Sequence, residues 1–227
     1  SRSRRLERGA ASEVDVCAHR SRGGGAMGDQ RPGGGELTHD LGAPGALQGL
    51  WRGCDPEGMA QSQLLTLRVN GEPTEVAAPT HWTLLEVLRY KLDLIGSKQG
   101  CDKGDCGACT VQIDGRPVLA CLTLAAKTRD RAVTTVEGLG FSGGMRGCHP
   151  LQDAFDRWDA AQCGFCTPGI LMASEHLIRK KGRAVTREEV REALAGNLCR
   201  CTGYTKILDA VVDASERMHA GAEEAAQ

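Results

Sequence analysis

The sequence predicts an α+β chain, with a small mixed sheet crossed by one helix ahead of a small helical bundle. Three observations predict it. Between residues 64 and 138, short aliphatic and β-branched runs are punctuated by Asn70–Gly71 and Asp114–Gly115, both two-residue hairpin signals. Within that region "TLLEVLRYKL" (Thr83–Leu92) alone switches to helical spacing. Beyond residue 150 the apolar residues recur at helical spacing to about Met218.

"LLTLRV" (Leu64–Val69) is the first strand, and "TEVAA" returns after the Asn70–Gly71 turn. In the helix that follows, Leu84, Leu85, Val87, Leu88 and Leu92 share a face and Thr83 is placed to cap it. "CTVQI" and "RPVLACLTL" flank the second turn, and "AVTTVEG" (Ala132–Gly138) reads as a closing strand. "GFSGGMRGCHP" (Gly140–Pro150) is a Gly-rich linker. Then come "LQDAFDRWDAA", "PGILMASEHLIRK" with Pro168 in its first turn, "TREEVREALAG", and a helix from about Tyr204 to Met218. Thr186 and Glu189 form a capping box for the third of these, and Gly196 is placed to stop it. The expected segments are 59–139 for the sheet domain, 140–219 for the helical domain and 220–227 for a disordered tail.

Residues 1–58 stand apart. They hold "RGGGAMGDQRPGGGELTHDLGAPGALQG", contain Arg but no Lys, and show neither period. Such a stretch buries too little surface to offset its ordering entropy. It is expected to be a disordered extension or upstream translation, with the functional protein starting near Met59. A formal net charge of −1 gives no electrostatic footprint for nucleic acid or a membrane surface. No apolar run approaches the roughly 18–20 residues of a membrane span, and no apolar stretch of about 7–15 residues follows Arg4 and Arg5, as an export signal requires. A cytoplasmic location is expected, where clustered thiols are more often metal ligands than bridges.

Eleven cysteines is a high count for 227 residues. Eight fall into two sets. Cys101, Cys106, Cys109 and Cys121 are spaced C-x4-C-x2-C with eleven residues before the fourth, the plant-type arrangement for a 2Fe-2S cluster. Their loop, "GCDKGDCGACTVQ", is rich in glycine. A cluster held by four thiolates carries a charge of about −2 and becomes more negative on reduction. Backbone N–H groups aimed at its sulfurs stabilise that charge, and a tight loop delivers them where Gly100, Gly104 and Gly107 take positive φ. Zinc would more usually show two Cys-x-x-Cys knuckles, and a redox Cys-x-x-Cys would stand alone at a helix start.

The second set is Cys163 and Cys166 in "QCGFCTPG" with Cys199 and Cys201 in "NLCRCTGY". Each pair precedes a helix, whose unpaired N–H groups favour an anion. By spacing alone this set could also bind zinc. Cys17, Cys54 and Cys148 are left as bystanders, and His81, His149, His176 and His219 read as ordinary surface or core histidines. There is no Gly-x-Gly-x-x-Gly after a strand and no nucleophile with a positioned base.

"SKQGCDKGDCGACTVQIDG", "QCGFCTPGILMASEHLIRK" and "AGNLCRCTGYTKI", in this order, resemble the small iron–sulfur subunit of the xanthine-dehydrogenase-type molybdenum hydroxylases, from about Leu64 to Val212. The resemblance implies a ferredoxin-like β-grasp domain and a four-helix domain, each with one 2Fe-2S cluster on the eight cysteines above. It implies a large subunit with a molybdenum–pterin cofactor beside the helical-domain cluster, and a medium subunit whose flavin (FAD) faces the other cluster. It gives Gln162 as a pterin contact and a heterotrimer, or a dimer of heterotrimers, as the assembly. The role implied is an electron wire with no substrate chemistry of its own. Within the family, "MASEHLIRKKG" and "EALAGNLCRCTGYTKI" look most like the small subunit of 4-hydroxybenzoyl-CoA reductase. The alternatives are the small subunit of an aldehyde, carbon monoxide, purine or N-heterocycle dehydrogenase, a free-standing ferredoxin, and a zinc-bound structural module.

Overall fold

The computed structural model describes residues 62–142 and 145–225. The stretch 1–58, the start near Met59, Cys17 and Cys54 lie outside the described residues.

β1 (Ser62–Val69) and β2 (Glu72–Pro79) form an antiparallel hairpin, with Val69 opposite Glu72. Asn70 and Gly71 both take positive φ, 52° and 90°, as a type I′ turn requires. β3 (Thr110–Ile113) and β4 (Arg116–Leu119) make a second hairpin. β5 (Ala132–Thr134) runs parallel to β1 and antiparallel to β3, so the order is β2-β1-β5-β3-β4. The closing strand is therefore the middle of the sheet and joins the two hairpins.

Two stretches read as strands are shorter than their sequence suggests. "AVTTVEG" leaves the sheet after Thr134 and coils into a 3-10 turn at Val136–Gly138. "RPVLACLTL" leaves it after Leu119, and a 3-10 turn at Ala120–Leu122 carries Ala120 and Cys121 inward, both buried. The residues between Gly140 and Pro150 are more than a linker: β6 (Phe141–Ser142) and β7 (Met145–Arg146) pair as a two-residue hairpin.

α1 (Leu84–Tyr90) starts at Thr83, whose side chain accepts the Glu86 N–H while Glu86 accepts the Thr83 N–H. Leu84, Leu85, Val87 and Leu88 are buried against Leu65, Leu67, Val111, Ile113 and Val133. Burying each such side chain stabilises the fold by roughly 1.5–3 kcal/mol, which holds a helix of this length that would not persist alone.

The second half is helical. α2 (Pro150–Arg157), α3 (Thr167–Lys181), α4 (Arg187–Ala193) and α5 (Thr205–Ala225) enclose a separate core that includes Leu151, Phe155, Ile170, Met172, Ile178, Val190, Ile207 and Val211. The capping box at Thr186 and Glu189 is present. α4 ends before Gly196, with Leu194 as its C-cap. α5 continues to Ala225 through the stretch expected to be a disordered tail. Its sequence there, "AGAEEA", is dominated by strong helix formers that extend an already nucleated helix. No helix among the described residues is long and apolar enough to cross a membrane.

The two cores meet where α3 crosses β3. Gln112, buried in β3, donates to the Met172 carbonyl at 3.0 Å and to the Glu175 carboxylate, and accepts from Arg179 at 3.1 Å. Arg179 and His176 both donate to the Gly115 carbonyl, at 2.7 and 2.8 Å.

Candidate metal centres

The first cysteine loop is fastened from α1. Arg89 donates to the carbonyls of Ile95 and Ser97 at 2.9 and 2.7 Å, and the Tyr90 hydroxyl donates to Gln99 at 2.9 Å. Gln99 in turn donates to Asp102 at 2.6 Å. The loop then curls so that its N–H groups meet its own sulfurs. Those of Lys103, Cys106 and Asp105 bond to Cys101, that of Ala108 to Cys106, and that of Gly104 to Cys121.

Gly104 and Gly107 take φ of 92° and 70°, as the sequence predicts. Gly100 departs from that expectation. It is absent from the positive-φ glycines, and its role is steric: a Cβ there would lie 2.7 Å from Cys106 Sγ.

The thiols sort cleanly. Cys101 contacts Cys106, and Cys109 contacts Cys121; Cys163 contacts Cys201 with their sulfurs 3.6 Å apart, and Cys166 contacts Cys199. Every cysteine that perturbs another belongs to the same quartet. Among the described residues, no three His, Cys, Asp or Glu side chains converge as a single bare ion would need. The sulfurs form two pairs per quartet instead.

Their electrostatics are uneven. The Lys103 N–H, then that of Cys106, brings the Cys101 thiol down to about 7. Burial raises Cys106, and burial followed by the neighbouring Cys109 thiol pushes Cys121 up to about 12. In the second quartet, burial and then the Cys199 thiol push Cys166 up to about 12, while the Phe165 N–H and the Cys201 thiol lower Cys163. The Cys163 thiol in turn raises Cys201. At Cys199 burial works upward, but bonds from the Thr202 hydroxyl and from the N–H groups of Thr202 and Cys201 outweigh it, and the thiol is lowered. N–H donors stabilise sulfur anions, and a bound metal supplies the charge that deprotonates buried thiols. This donor set fits an anionic four-thiolate cluster at each site.

Cys166 is the N-cap of α3, as its place before Thr167–Pro168 suggests. Cys199 and Cys201 do not abut α5, because Thr202, Gly203 and Tyr204 intervene. Tyr204 fastens this loop: its hydroxyl accepts the Cys199 N–H at 2.7 Å and donates to the Asn197 carbonyl at 3.0 Å. Gln162 is exposed beside Cys163, which is also exposed. His149 is the N-cap of α2, and Cys148 is exposed and belongs to neither quartet.

Several residues that position the sites carry no cysteine signal. The Leu198 N–H donates to the Cys106 carbonyl at 2.9 Å, and buried Asn197 donates to the Gly107 carbonyl at 3.0 Å. A Cβ on Gly107 would lie 2.6 Å from Asn197 Nδ2, and one on Gly169 would strike the Gly107 carbonyl oxygen. The two cysteine loops are thus pressed backbone to backbone. Gly169, in the first turn of a predicted helix, was the visible sign, since a glycine there has a packing reason. Asn197 gave none.

Comparison with known proteins agrees with this geometry. Residues 67–131 match the family described as the 2Fe-2S iron-sulfur cluster binding domain, and residues 135–212 match the 2Fe-2S binding domain family. The aldehyde oxidoreductase iron-sulfur-binding subunit of Escherichia coli K12 is 42% identical over 165 residues, 66% of this chain and 71% of that protein. The xanthine dehydrogenase iron-sulfur-binding subunit of Escherichia coli O157:H7 is 41% identical over 158 residues, 68% of this chain and 97% of that protein. The crystal structure of quinoline 2-oxidoreductase from Pseudomonas putida 86 superimposes with a TM-score of 0.66 at 39% identity, covering 71% of this chain and 98% of that one. With two cluster-binding domains in series, and relatives of this identity matched over most of their length, the chain belongs to the family of iron–sulfur subunits of aldehyde oxidoreductase and xanthine dehydrogenase type enzymes.

Proposed function

We propose that this chain is a two-cluster electron wire between a molybdenum–pterin centre and a flavin (FAD) in separate partner subunits. Residues 59–139 are its ferredoxin-type β-grasp domain and 140–219 its four-helix domain. The observation that carries the reading is the sorting of eight thiols into quartets with no interaction crossing between them. A two-iron cluster takes two thiolates per iron, and the contacts supply the pairs: Cys101 with Cys106, Cys109 with Cys121, Cys163 with Cys201, Cys166 with Cys199. Bound 2Fe-2S clusters supply one-electron carriers that divide a two-electron oxidation into single steps.

The chain's own contribution is holding and insulating. Cys109 and Cys121 are buried, whereas Cys163 and Cys201 are exposed with Phe165 and Leu198 exposed beside them. That opening, with Gln162 at its edge, favours the helical-domain site as the face toward the pterin-bearing subunit, leaving the β-grasp site for the flavin. A heterotrimer, or a dimer of such heterotrimers, accommodates both contacts. For the substrate, relatives named for an aldehyde, for xanthine and for quinoline favour hydroxylation of an aldehyde or N-heterocycle over 4-hydroxybenzoyl-CoA reduction.

Anaerobic purification followed by iron and labile-sulfide assay tests the wire. About four irons and four sulfides per chain are expected; two irons would make it a single-cluster ferredoxin, and zinc without sulfide a structural module. Cys101→Ser is expected to remove one EPR signal of the reduced protein and Cys163→Ser the other. Loss of both signals from either change in folded protein would mean one shared site. Gln162→Ala is expected to leave both signals intact and slow electron entry in the full complex.

A further inference from the structure

The loop after Cys201 contains a hydroxyl with one free direction. Thr202 Oγ1 accepts the Tyr204 backbone N–H at 3.2 Å and lies 3.1 Å from Cys199 Sγ. A hydroxyl has one proton and two lone pairs. With a lone pair committed to the amide, the proton points at sulfur whenever that sulfur is a thiolate and has no proton to give.

The surroundings keep the hydroxyl in this role. The Cys199 N–H, which could have served a sulfur, is taken by the Tyr204 hydroxyl at 2.7 Å. That hydroxyl spends its own proton on the Asn197 carbonyl at 3.0 Å. Tyr204 holds a φ of 67°, a left-handed conformation unfavourable for a bulky residue. The loop maintains that strain while the Tyr204 amide faces Thr202. The first quartet receives its donors from backbone N–H groups, whereas Cys199 receives this hydroxyl in addition to the N–H groups of Thr202 and Cys201.

We infer that Thr202 is a positioning residue that raises the reduction potential of the helical-domain cluster by donating its hydroxyl proton to Cys199 Sγ. The inference rests on Cys199 being a cluster ligand, as proposed above. Reduction adds one electron and places more negative charge on the sulfurs, so a donor to sulfur favours the reduced state. The electron comes from the redox partner or, in the assay, from dithionite. The proton stays on Thr202 and no bond is broken.

EPR-monitored redox titration of the full chain, carrying both clusters, tests this. Thr202→Val keeps the shape and removes the donor. It is expected to make reduction of the helical-domain cluster about tenfold less favourable, ~59 mV lower for a one-electron couple, with the other cluster unmoved. Thr202→Ser restores the hydroxyl and is expected to titrate like the unmodified chain. In deuterium oxide, the unmodified chain and the Ser variant are expected to show an exchangeable-proton coupling at the reduced helical-domain cluster that the Val variant lacks. An unshifted Val variant, an equal shift in the Ser variant, or a parallel shift of both clusters would overturn the inference. So would a Val variant that never loads the second cluster while the Ser variant does, since the hydroxyl would then be an assembly clasp. A single signal from the unmodified chain would instead be the failure of the two-cluster reading itself.

Discussion

Gly100 is a glycine for a different reason from Gly104 and Gly107, and the difference can be measured. The latter two need a left-handed backbone, which a cysteine-rich loop advertises in its sequence. Gly100 needs an empty place beside Cys106 Sγ, which only the folded loop reveals. Gly100→Ala is therefore expected to abolish or distort the EPR signal of the β-grasp cluster and leave the helical-domain signal intact. Gln112 was equally hidden: within "CTVQI" it reads as the polar residue of an alternating strand, yet it is buried. The reason lies 60 residues away, in the Met172 carbonyl, Glu175 and Arg179 of α3. Gln112→Leu strands these partners without satisfying them and is expected to cost about 2 kcal/mol in denaturant unfolding. The sorting of eight cysteines into two groups was legible because spacing along the chain largely decides which thiols can meet. The side chains that join the two halves were not, because nothing local marks them.

At the scale of elements, caps divide into those the sequence announces and one it hides. Thr83 with Glu86, and Thr186 with Glu189, are signatures of residue type and spacing, and both form. α2 is capped by His149, whose Nδ1 accepts the Leu151 N–H at 3.2 Å while the His149 backbone N–H donates to the Gln152 side-chain oxygen at 3.0 Å. Histidine lies outside the usual capping set, so the reading as an ordinary histidine missed it. The cap requires a bare Nδ1. Burial lowers the His149 pKa below its ordinary 6.5 against the pull of Glu175, so the unfolded chain takes up the proton first. The contribution of this cap is therefore complete above about pH 6.5 and declines as pH falls from there toward the lower folded value. His149→Asn, a capping residue that does not titrate, is expected to flatten the pH dependence of thermal unfolding between pH 7 and 5. The sheet shows a related limit: β5 is only three residues, and its central place follows from pairing with both β1 and β3 rather than from its own pattern.

At the scale of the whole molecule, closely packed peptide groups join the halves alongside the side chains of Gln112, His176 and Arg179. Gly107 faces Asn197 and Gly196, Gly169 presses on the Gly107 carbonyl, and Leu198 reaches the Cys106 carbonyl. Gly169→Leu is expected to lower the rate of electron exchange between the clusters more than it changes either potential, as measured by rapid reduction with spectral deconvolution. Unchanged exchange would show that the contact does not set their separation. The unequal shelter of the two quartets has a practical sequel. Cys109 and Cys121 are 3% and 8% exposed, while Cys163 and Cys201 lie open. Purified alone and handled in air, this polypeptide should bleach from one end, the helical site losing its colour and paramagnetism well before its sheltered twin. The order in which the two signals vanish is thus a direct reading of which quartet the fold leaves uncovered.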